Sequence, residues 1–260
     1  MVPAARFPYQ TCATCRDAAG GDVPAIEIDD LCVAYSDGPE LDAVRGLRLR
    51  VPAGTHVAVV GPNGSGKSTL LKAIAGAIPA HHGTILVHGQ PVAACLHRIS
   101  YLAQRSEIDW RFPVDVTGLV KTGRYVHLGW FARPGRDDDR RVHAALDRVG
   151  MAALARRQIG QLSGGQQQRA LLARALVQDA DVFLLDEPLN AVDGETRERV
   201  GEVLRDLRRA GKTVLIATHD VGRLEGDYDA ALFLSDGRVV PAPHEAFGGA
   251  EAAMVTAAAG

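Results

Sequence analysis

Two kinds of hydrophobic pattern follow one another along the chain. Near the beginning, residues 25–29 and 47–51 alternate between apolar and polar side chains, which predicts strands of an antiparallel sheet with one solvent-facing side. Residues 56–60, in contrast, are nearly all apolar, and residues 181–185 and 213–217 resemble them. Apolar strands separated by helix-like stretches are typical of a parallel sheet that is covered on both faces. We therefore expect an α/β protein with an antiparallel β subdomain near its N-terminus.

The stretch between the early and the late strands has a different character. Residues 114–160 are richer in Arg, Asp and Ala, and residues 137–149 have the clearest helical pattern. We expect a helical subdomain over about residues 105–165, inserted into a domain that spans residues 25–247. Outside these ranges the sequence predicts tails over 1–24 and 248–260, strands over 83–89, 99–103 and 230–234, and a helix over 67–75.

Composition narrows the possible classes of protein. The chain has 260 residues with 29 basic and 31 acidic side chains, a formal charge of −2, and 47% hydrophobic residues. These values are typical of a soluble globular protein, and the absence of a basic excess argues against a nucleic-acid partner. The longest unbroken hydrophobic run, residues 230–234, is far shorter than the roughly 20 residues of a membrane span. Because the N-terminus also lacks an apolar signal segment, a cytoplasmic protein is expected.

One pair of cysteines has a spacing that occurs in metal sites. Cys12 and Cys15 have the CxxC spacing of a zinc or redox motif, but no second pair completes the four ligands of a structural zinc. We interpret them as two thiols in a tail. His81 and His82 are expected to be solvated loop residues.

A glycine-rich turn between the strand at 56–60 and the helix at 67–75 matches the phosphate-loop pattern GxxxxGK[ST]. Glycines allow successive backbone N–H groups to turn around an anion, and the start of the following helix adds its positive end. Lys67 is placed to reach the β- and γ-phosphates, and the Ser68 hydroxyl can bind Mg²⁺. The sequence therefore predicts nucleotide binding by Gly61, Pro62, Asn63, Gly64, Ser65, Gly66, Lys67, Ser68 and Thr69.

A pair of adjacent acids follows the apolar strand at 181–185. Asp186 and Glu187 stand at its carboxyl end, where ligands bind in open α/β sheets. Asp186 would hold Mg²⁺, directly or through a coordinated water. Glu187, pointing the other way, could accept a proton from an attacking water. An acid pair at a strand end often only caps a following helix, but the upstream phosphate loop favours the functional interpretation.

The segment Leu162-Ser-Gly-Gly-Gln166, followed by Gln167, Gln168 and Arg169, resembles the LSGGQ signature of the ATP-binding subunits of ATP-binding cassette (ABC) transporters. The resemblance covers about residues 26–247, and the motifs occur in the family's order. It implies a P-loop NTPase core with mostly parallel strands, an antiparallel β subdomain and an inserted helical subdomain. It also implies that Ser163, Gly164, Gly165 and Gln166 bind the γ-phosphate of ATP held by a partner subunit. The same residues also fit a simple helix N-cap, and both roles can hold together.

Four further positions match the family's pattern. Tyr35 resembles the aromatic residue that stacks on adenine, and Gln104 resembles the glutamine that senses Mg²⁺ and the attacking water. Asp193 matches the acid of the loop that touches the opposite subunit. His219 resembles the switch histidine on the γ-phosphate. Without the resemblance, a tyrosine or histidine near a strand end would be interpreted as structural.

The resemblance implies an ATPase with ATP and Mg²⁺ as ligands. Glu187, His219, Gln104 and Lys67 would be catalytic, and Ser68, Gln104 and Asp186 would hold the magnesium ion. The expected partners are a second copy of the chain in a head-to-tail ATP sandwich, membrane permease subunits, and an extracellular or periplasmic metal-binding protein. The subunit would lie on the cytoplasmic face of the plasma membrane, attached through the permease.

Residues 105–114 and 123–131 resemble the manganese, zinc and iron import branch of the family, with an SE-x-DW-x-FP run and an HLGWF segment. The aromatic residues Trp110, Phe112, Trp130 and Phe131 cluster there, either packing the helical subdomain or forming a docking groove for a permease helix. Metal-ion import is therefore expected, and the ATPase itself is not expected to bind the metal. A haem or siderophore-iron importer is the alternative within transport. A soluble, non-transport ABC ATPase and a regulatory module without hydrolysis are disfavoured, the latter because Glu187 and His219 are both present.

Overall fold

The computed structural model describes residues 23–34, 42–128, 133–190, 192–219 and 228–241. The strands are β1 (Ile26–Ala34), β2 (Asp42–Val51), β3 (His56–Val60), β4 (His82–Val87), β5 (Gln90–Pro91), β6 (Ile99–Leu102), β7 (Val182–Asp186), β8 (Thr213–Thr218), β9 (Ala230–Ser235) and β10 (Arg238–Val240). The α-helices are α1 (Lys67–Ile74), α2 (Val116–Lys121), α3 (Arg136–Arg148), α4 (Gly164–Val177) and α5 (Gly194–Arg209). Within these ranges, no helix is both long and apolar enough to cross a bilayer.

The antiparallel sheet has the strand order β2-β1-β4-β5. Strands β1 and β2 are longer than their alternating patterns predict, because the β1–β2 register shifts between Ile28 and Leu31 and again beyond it. A shift moves side chains to the other face and interrupts the alternation that the sequence pattern depends on. The one-sided sheet itself is confirmed: Arg48 and Asp29 form an ion pair with both side chains exposed, whereas Leu47 and Leu49 are buried.

The second sheet has the order β10-β9-β3-β8-β7-β6, and all of its pairs are parallel except β9–β10. Every residue of β3 and β7 is buried. Alternate side chains of β7 enter opposite cores: Val182 and Leu184 pack on the α1 side, whereas Phe183 and Leu185 pack on the α4 and α5 side. The predicted parallel sheet covered on both faces is therefore confirmed.

Helices α2 and α3 lie between β6 and β7, and both pack on α4. Three acids, Asp137 to Asp139, occupy the first turn of α3, where negative charge is favourable, and its apolar side buries Val142 and Leu146. This position between two strands of the parallel sheet agrees with a helical insertion into an α/β core. The boundaries given above for the subdomain and the tails stay predictions.

Candidate active site

The phosphate loop connects β3 to α1, and two of its glycines are required by the backbone. Gly66 is the N-cap of α1 with φ +101°, a conformation that side chains with a β-carbon rarely adopt. A β-carbon there would collide with the carbonyl oxygen of Ala43. One on Gly61 would collide with the carbonyl oxygen of Leu234. The loop is therefore held tightly between β2 and β9, which fixes its N–H groups at the start of the helix.

Lys67 is the first residue of α1 and is only 5% exposed. Its Nζ donates hydrogen bonds to the carbonyl oxygens of Gly61 (2.7 Å) and Pro62 (2.9 Å). Burial lowers the pKa of Lys67, while the nearby charges of Glu187 and Asp186 act in the opposite direction. The loop thus holds a desolvated cation beside two acids. A bound polyphosphate would pair with the cation, and its metal ion would pair with the acids.

Asp186, the last residue of β7, lies directly beneath the loop and is 1% exposed. Its Oδ1 accepts a hydrogen bond from Ser68 Oγ (3.0 Å), and its Oδ2 accepts one from the Tyr101 hydroxyl (3.3 Å). Gln104 Nε2 in turn donates to Ser68 Oγ (3.4 Å). Burial raises the pKa of Asp186, and the charge of Glu187 adds to this, although the hydrogen bonds from Ser68, Tyr101 and Gln104 oppose it. The hydroxyl, carboxylate and amide groups brought together here are the hard oxygen donors that Mg²⁺ prefers.

Glu187 connects two cavities. It lines one of about 430 Å³ over the phosphate loop, together with Lys67, Ser68 and Gln104. It also lines one of about 190 Å³ that contains His219. Its backbone has φ +50°, and its N–H donates to the carbonyl oxygen of Ala217 on β8 (3.2 Å). A left-handed non-glycine residue is strained, and such strain concentrates at functional sites.

Asn190 holds the Glu187 side chain, because its Nδ2 donates to Glu187 Oε2 (2.9 Å). This hydrogen bond fixes the carboxylate to the turn that follows β7. The exposed His219 borders the same small cavity as Asn190, at the end of β8. Glu187 can thus face both the loop and the histidine.

The LSGGQ segment begins α4. Ser163 is its N-cap, with Ser163 Oγ accepting from the Gln166 N–H (3.3 Å) and Gln166 Oε1 accepting from the Ser163 N–H (3.0 Å). A β-carbon on Gly165 would lie 2.5 Å from Asp193 Oδ2, so Asp193 sits beside the signature segment. Asp193 also caps α5 by accepting from the Thr196 N–H (2.7 Å). Neither of the two cavities at Glu187 is lined by residues 163–166.

The predicted site residues thus fall into two groups in one chain. The first group surrounds the phosphate loop and comprises Lys67, Ser68, Gln104, Asp186, Glu187 and His219. The second comprises Ser163, Gly164, Gly165, Gln166 and Asp193. Tyr35 lies outside the described residues, as do Trp130 and Phe131.

Sequence reasoning missed Tyr101, Asn190 and Ala43. Tyr101 could have been found, since it lies on a strand next to β7 and three residues before Gln104. Asn190 had a weaker signal, its position three residues after Glu187 in a turn. Ala43 had none, because only its backbone oxygen approaches the loop.

Residues 44–190 match the family model described as ABC transporter. The chain belongs to the ABC transporter family. The resemblance noted in the sequence is confirmed, and the chain is an ATP-binding subunit whose ATPase activity is coupled to transport. It is 45% identical over 211 residues to the zinc transport system ATP-binding protein TroB of Treponema pallidum, covering 81% of this chain and 78% of the relative. It is 42% identical over 220 residues to the manganese transport system ATP-binding protein MntB of Bacillus subtilis, covering 85% and 87%.

Solved structures agree with this assignment. The dimeric structure of MJ0796, a bacterial ABC transporter cassette, matches with a TM-score of 0.74 at 27% identity, over 83% of this chain and 97% of that one. A dimeric post-hydrolysis state of MJ0796 with ADP and Pi matches with a TM-score of 0.73 at 26% identity, over the same shares of the two chains. The predicted fold class is therefore confirmed.

Proposed function

We propose that this ABC ATPase energises the import of a divalent transition metal, of the manganese and zinc class. The choice of substrate rests on two relatives, which are named as zinc and manganese transport ATP-binding proteins. They are 45% and 42% identical to this chain over most of both chains. The site geometry supports the ATPase part of the proposal independently, because Lys67, the proposed magnesium ligands and Glu187 lie together around one loop.

Within the site, the loop N–H groups and Lys67 bind the phosphates of ATP. Ser68, Asp186 and Gln104 would hold Mg²⁺, which when bound neutralises negative charge on the phosphate oxygens. Glu187 accepts a proton from a water molecule positioned in line with the γ-phosphorus. The water oxygen then bonds to phosphorus as the bond to the bridging oxygen of ADP breaks, and the products are ADP and phosphate. His219 borders the cavity of Glu187 and would orient the γ-phosphate and the water.

The second group of residues acts on another copy of the chain. In support, residues 163–166 line neither cavity of their own chain, and the exposed Asp193 lies beside Gly165 of this segment. A head-to-tail dimer would place each signature segment on the ATP of the opposite phosphate loop, with Asp193 contacting the opposite chain. Tyr35 would stack on the adenine. Two ATP molecules would then be shared between two copies, and hydrolysis would separate them.

A permease helix is the proposed occupant of the groove between the parallel sheet and the helical subdomain. This groove has a volume of about 810 Å³ and is lined by Leu96, Tyr101, Tyr125 and Leu128 together with Arg133 and Arg174. Trp110 and Phe112, the two described members of the aromatic cluster expected at a docking groove, are not among its lining residues. Tyr125 is 52% exposed there, so an aromatic side chain is available for a helix to pack on. Docking would hold the subunit on the cytoplasmic face of the membrane, with an extracellular or periplasmic metal-binding protein delivering the substrate.

Glu187→Gln tests the ATPase part. We expect ATP binding to be retained, turnover to fall by about 100- to 10,000-fold because the general base is lost, and an ATP-bound dimer to accumulate. ATP binding and phosphate release should be measured on the same protein, with gel filtration in ATP for the dimer. Near-normal phosphate release would reject Glu187 as the base.

The substrate is tested by reconstituting the subunit with its permease and binding protein in liposomes. ATP-dependent uptake of Mn²⁺ or Zn²⁺ is expected, and it should be abolished when the subunit carries Glu187→Gln. Uptake of haem or of a ferric siderophore in place of the free ions would establish the alternative importer. In either case the ATPase assignment is judged separately by the turnover measurement.

A further inference from the structure

A cluster of potential metal ligands lies in the antiparallel sheet, outside the nucleotide site. Cys32 is on β1, Asp42 is the first residue of β2, and His81 immediately precedes β4. The strand order is β2-β1-β4, so the three residues come from three adjacent strands. One ligand atom of each, the Cys32 sulphur, an Asp42 oxygen and a His81 ring nitrogen, lies within 4.8 Å of both others.

The backbone holds this cluster in place. The His81 N–H donates to the carbonyl oxygen of Cys32 (3.2 Å), which ties the histidine to β1. The N–H of Gly46 donates to Cys32 Sγ (3.2 Å), a bond that orients the sulphur. His81 Nε2 lies 3.4 Å from Asp42 Oδ1. A tetrahedral zinc with bonds of about 2.0–2.3 Å separates neighbouring ligand atoms by about 3.3–3.6 Å, so this pair is already at the spacing required.

Asp42 supplies the observation that points to a ligand. Its side chain is only 10% exposed, and within the described ranges its buried Oδ1 has no hydrogen-bond donor. A desolvated carboxylate oxygen without a donor is costly, and a bound cation would satisfy it. A His81 ring nitrogen lies 3.4 Å from this oxygen, and as a neutral imidazole it can share a metal ion with it.

We propose that Cys32, Asp42 and His81 bind a zinc ion, with a water molecule as the fourth ligand. One thiolate, one imidazole and one carboxylate form the mixed donor set of zinc, whereas Mg²⁺ and Mn²⁺ favour oxygen donors alone. The neighbouring His82 is not part of the set, since its Nε2 pairs with Asp30 Oδ2 (3.1 Å). Both histidines are exposed, as expected, but His82 begins β4 instead of lying in a loop, and His81 lies beside the buried Asp42 carboxylate.

Zinc titration of the full chain against a chromophoric chelator tests this proposal. The chain should carry Cys12→Ser and Cys15→Ser, to remove the N-terminal thiols, and excess Mg²⁺ should be present to fill oxygen-only sites. We expect one zinc ion per chain. His81→Gln should weaken the affinity at least about 100-fold, because even loss of an outer partner costs 10- to 100-fold. The matched control His82→Gln should bind like the parent.

Cobalt substitution gives a second readout that does not depend on ATPase activity. Co²⁺ at the site should show a thiolate charge-transfer band, lost in Cys32→Ser and kept in Cys95→Ala. Asp42→Asn removes a ligand at almost unchanged volume, so the test stands if Cys32→Ser fails to fold.

Lys67→Ala should leave zinc binding unchanged, which separates this site from the nucleotide site. Absence of stoichiometric zinc, or parental affinity in both His81→Gln and Asp42→Asn, would overturn the proposal.

Discussion

Two helices of this chain begin with glycine-rich turns, and they differ in what surrounds their first N–H groups. Helix α1 begins after Gly66, which provides no side-chain cap, and buried Lys67 and Asp186 lie beside it. Helix α4 begins after the exposed Ser163, which forms a capping box with Gln166. Both starts favour an anion through the same backbone dipoles. Both have a cation in the same chain, Lys67 at α1 and Arg105 beside Gly164 at α4, but only the first also has its proposed magnesium ligands there.

The difference indicates separate roles for the two helix starts. The phosphate loop can bind ATP within one chain because loop, lysine and carboxylate are already within hydrogen-bonding distance of one another. The signature helix has a self-capped start with Asp193 and Arg105 packed at its glycines, and no lysine. In the proposed dimer it would contribute donors to a phosphate without holding a nucleotide by itself. Binding and turnover should therefore respond differently to changes at the two helix starts.

Lys67→Ala should have the largest effect. Loss of the buried ammonium removes the cation that binds the phosphates and leaves Asp186 and Glu187 without its charge, so ATP affinity should fall by about 100-fold and turnover to background. Equilibrium binding of a fluorescent ATP analogue and phosphate release are the measurements. Lys72→Ala is the matched control, because Lys72 lies in the same helix and pairs with Glu107 (2.8 Å) outside the cavity. Similar losses in both variants would contradict the role given to Lys67.

Gly165→Ala should separate binding from turnover. Its β-carbon would lie 2.5 Å from Asp193 Oδ2 and 2.6 Å from Thr196 Oγ1, so the start of α4 must shift. ATP affinity of the single chain should stay unchanged, while turnover falls by about 100-fold as in the loss of a transition-state donor. Gly201→Ala is the control, since a β-carbon there meets only the flexible Arg205 guanidinium at 3.5 Å.

Mixing the two inactive variants checks whether the sites are shared between copies. In a mixed dimer of Lys67→Ala and Gly165→Ala, one of the two sites combines an intact phosphate loop with an intact signature helix. An equal mixture should therefore recover about a quarter of the parental turnover if the sites act independently. No recovery, in proteins shown to form mixed dimers, would count against action of the signature helix on a second copy.

Ser163→Ala should lower both the stability of the chain and its turnover, and turnover should fall less than in Gly165→Ala. Losing the N-cap should cost about 1 kcal/mol of stability, measured by denaturant unfolding. Turnover should fall by about tenfold, as one hydrogen-bonding group at the phosphate is lost. Asp115→Ala removes the N-cap of α2, where Asp115 Oδ1 accepts from the Gly118 N–H (2.7 Å). It should cost similar stability and leave turnover unchanged, whereas equal turnover losses would assign the Ser163 effect to stability alone.

The sequence predicted the phosphate loop and its acids because a strand, a glycine-rich turn and a helix start are local patterns. Tyr101 and Asn190 escaped prediction, since their contacts to Asp186 and Glu187 depend on how side chains meet after folding. The strands β5 and β10 were also missed, because two or three residues carry too little periodicity to register. The grouping of His81 with Cys32 and Asp42 had no local signal either, because it depends on the pairing of three strands.

The smallest predicted effect is a pair of pH profiles with opposite signs. Burial raises the pKa of Asp186, so between its ordinary pKa and the raised one the native chain binds more protons than the unfolded chain. Ionised Asp186 therefore destabilises the nucleotide-free chain at neutral pH, and this cost disappears as the pH falls through the raised pKa. Asp186→Asn should be more stable than the parent at neutral pH, with the difference shrinking in acid.

Asp193 should behave in the opposite way. The Thr196 N–H bond lowers the pKa of this exposed carboxyl, so its stabilising contribution is present above the ordinary pKa of aspartate and is lost as the pH falls through the lowered one. Asp193→Asn should be slightly less stable than the parent at neutral pH and equal to it in strong acid, because asparagine keeps a cap but not the charge. Denaturant unfolding of both variants from about pH 3 to pH 7 measures the two profiles. Profiles of the same sign would show that the carboxylates beside the two helix starts, Asp186 and Asp193, do not differ in their electrostatic environment.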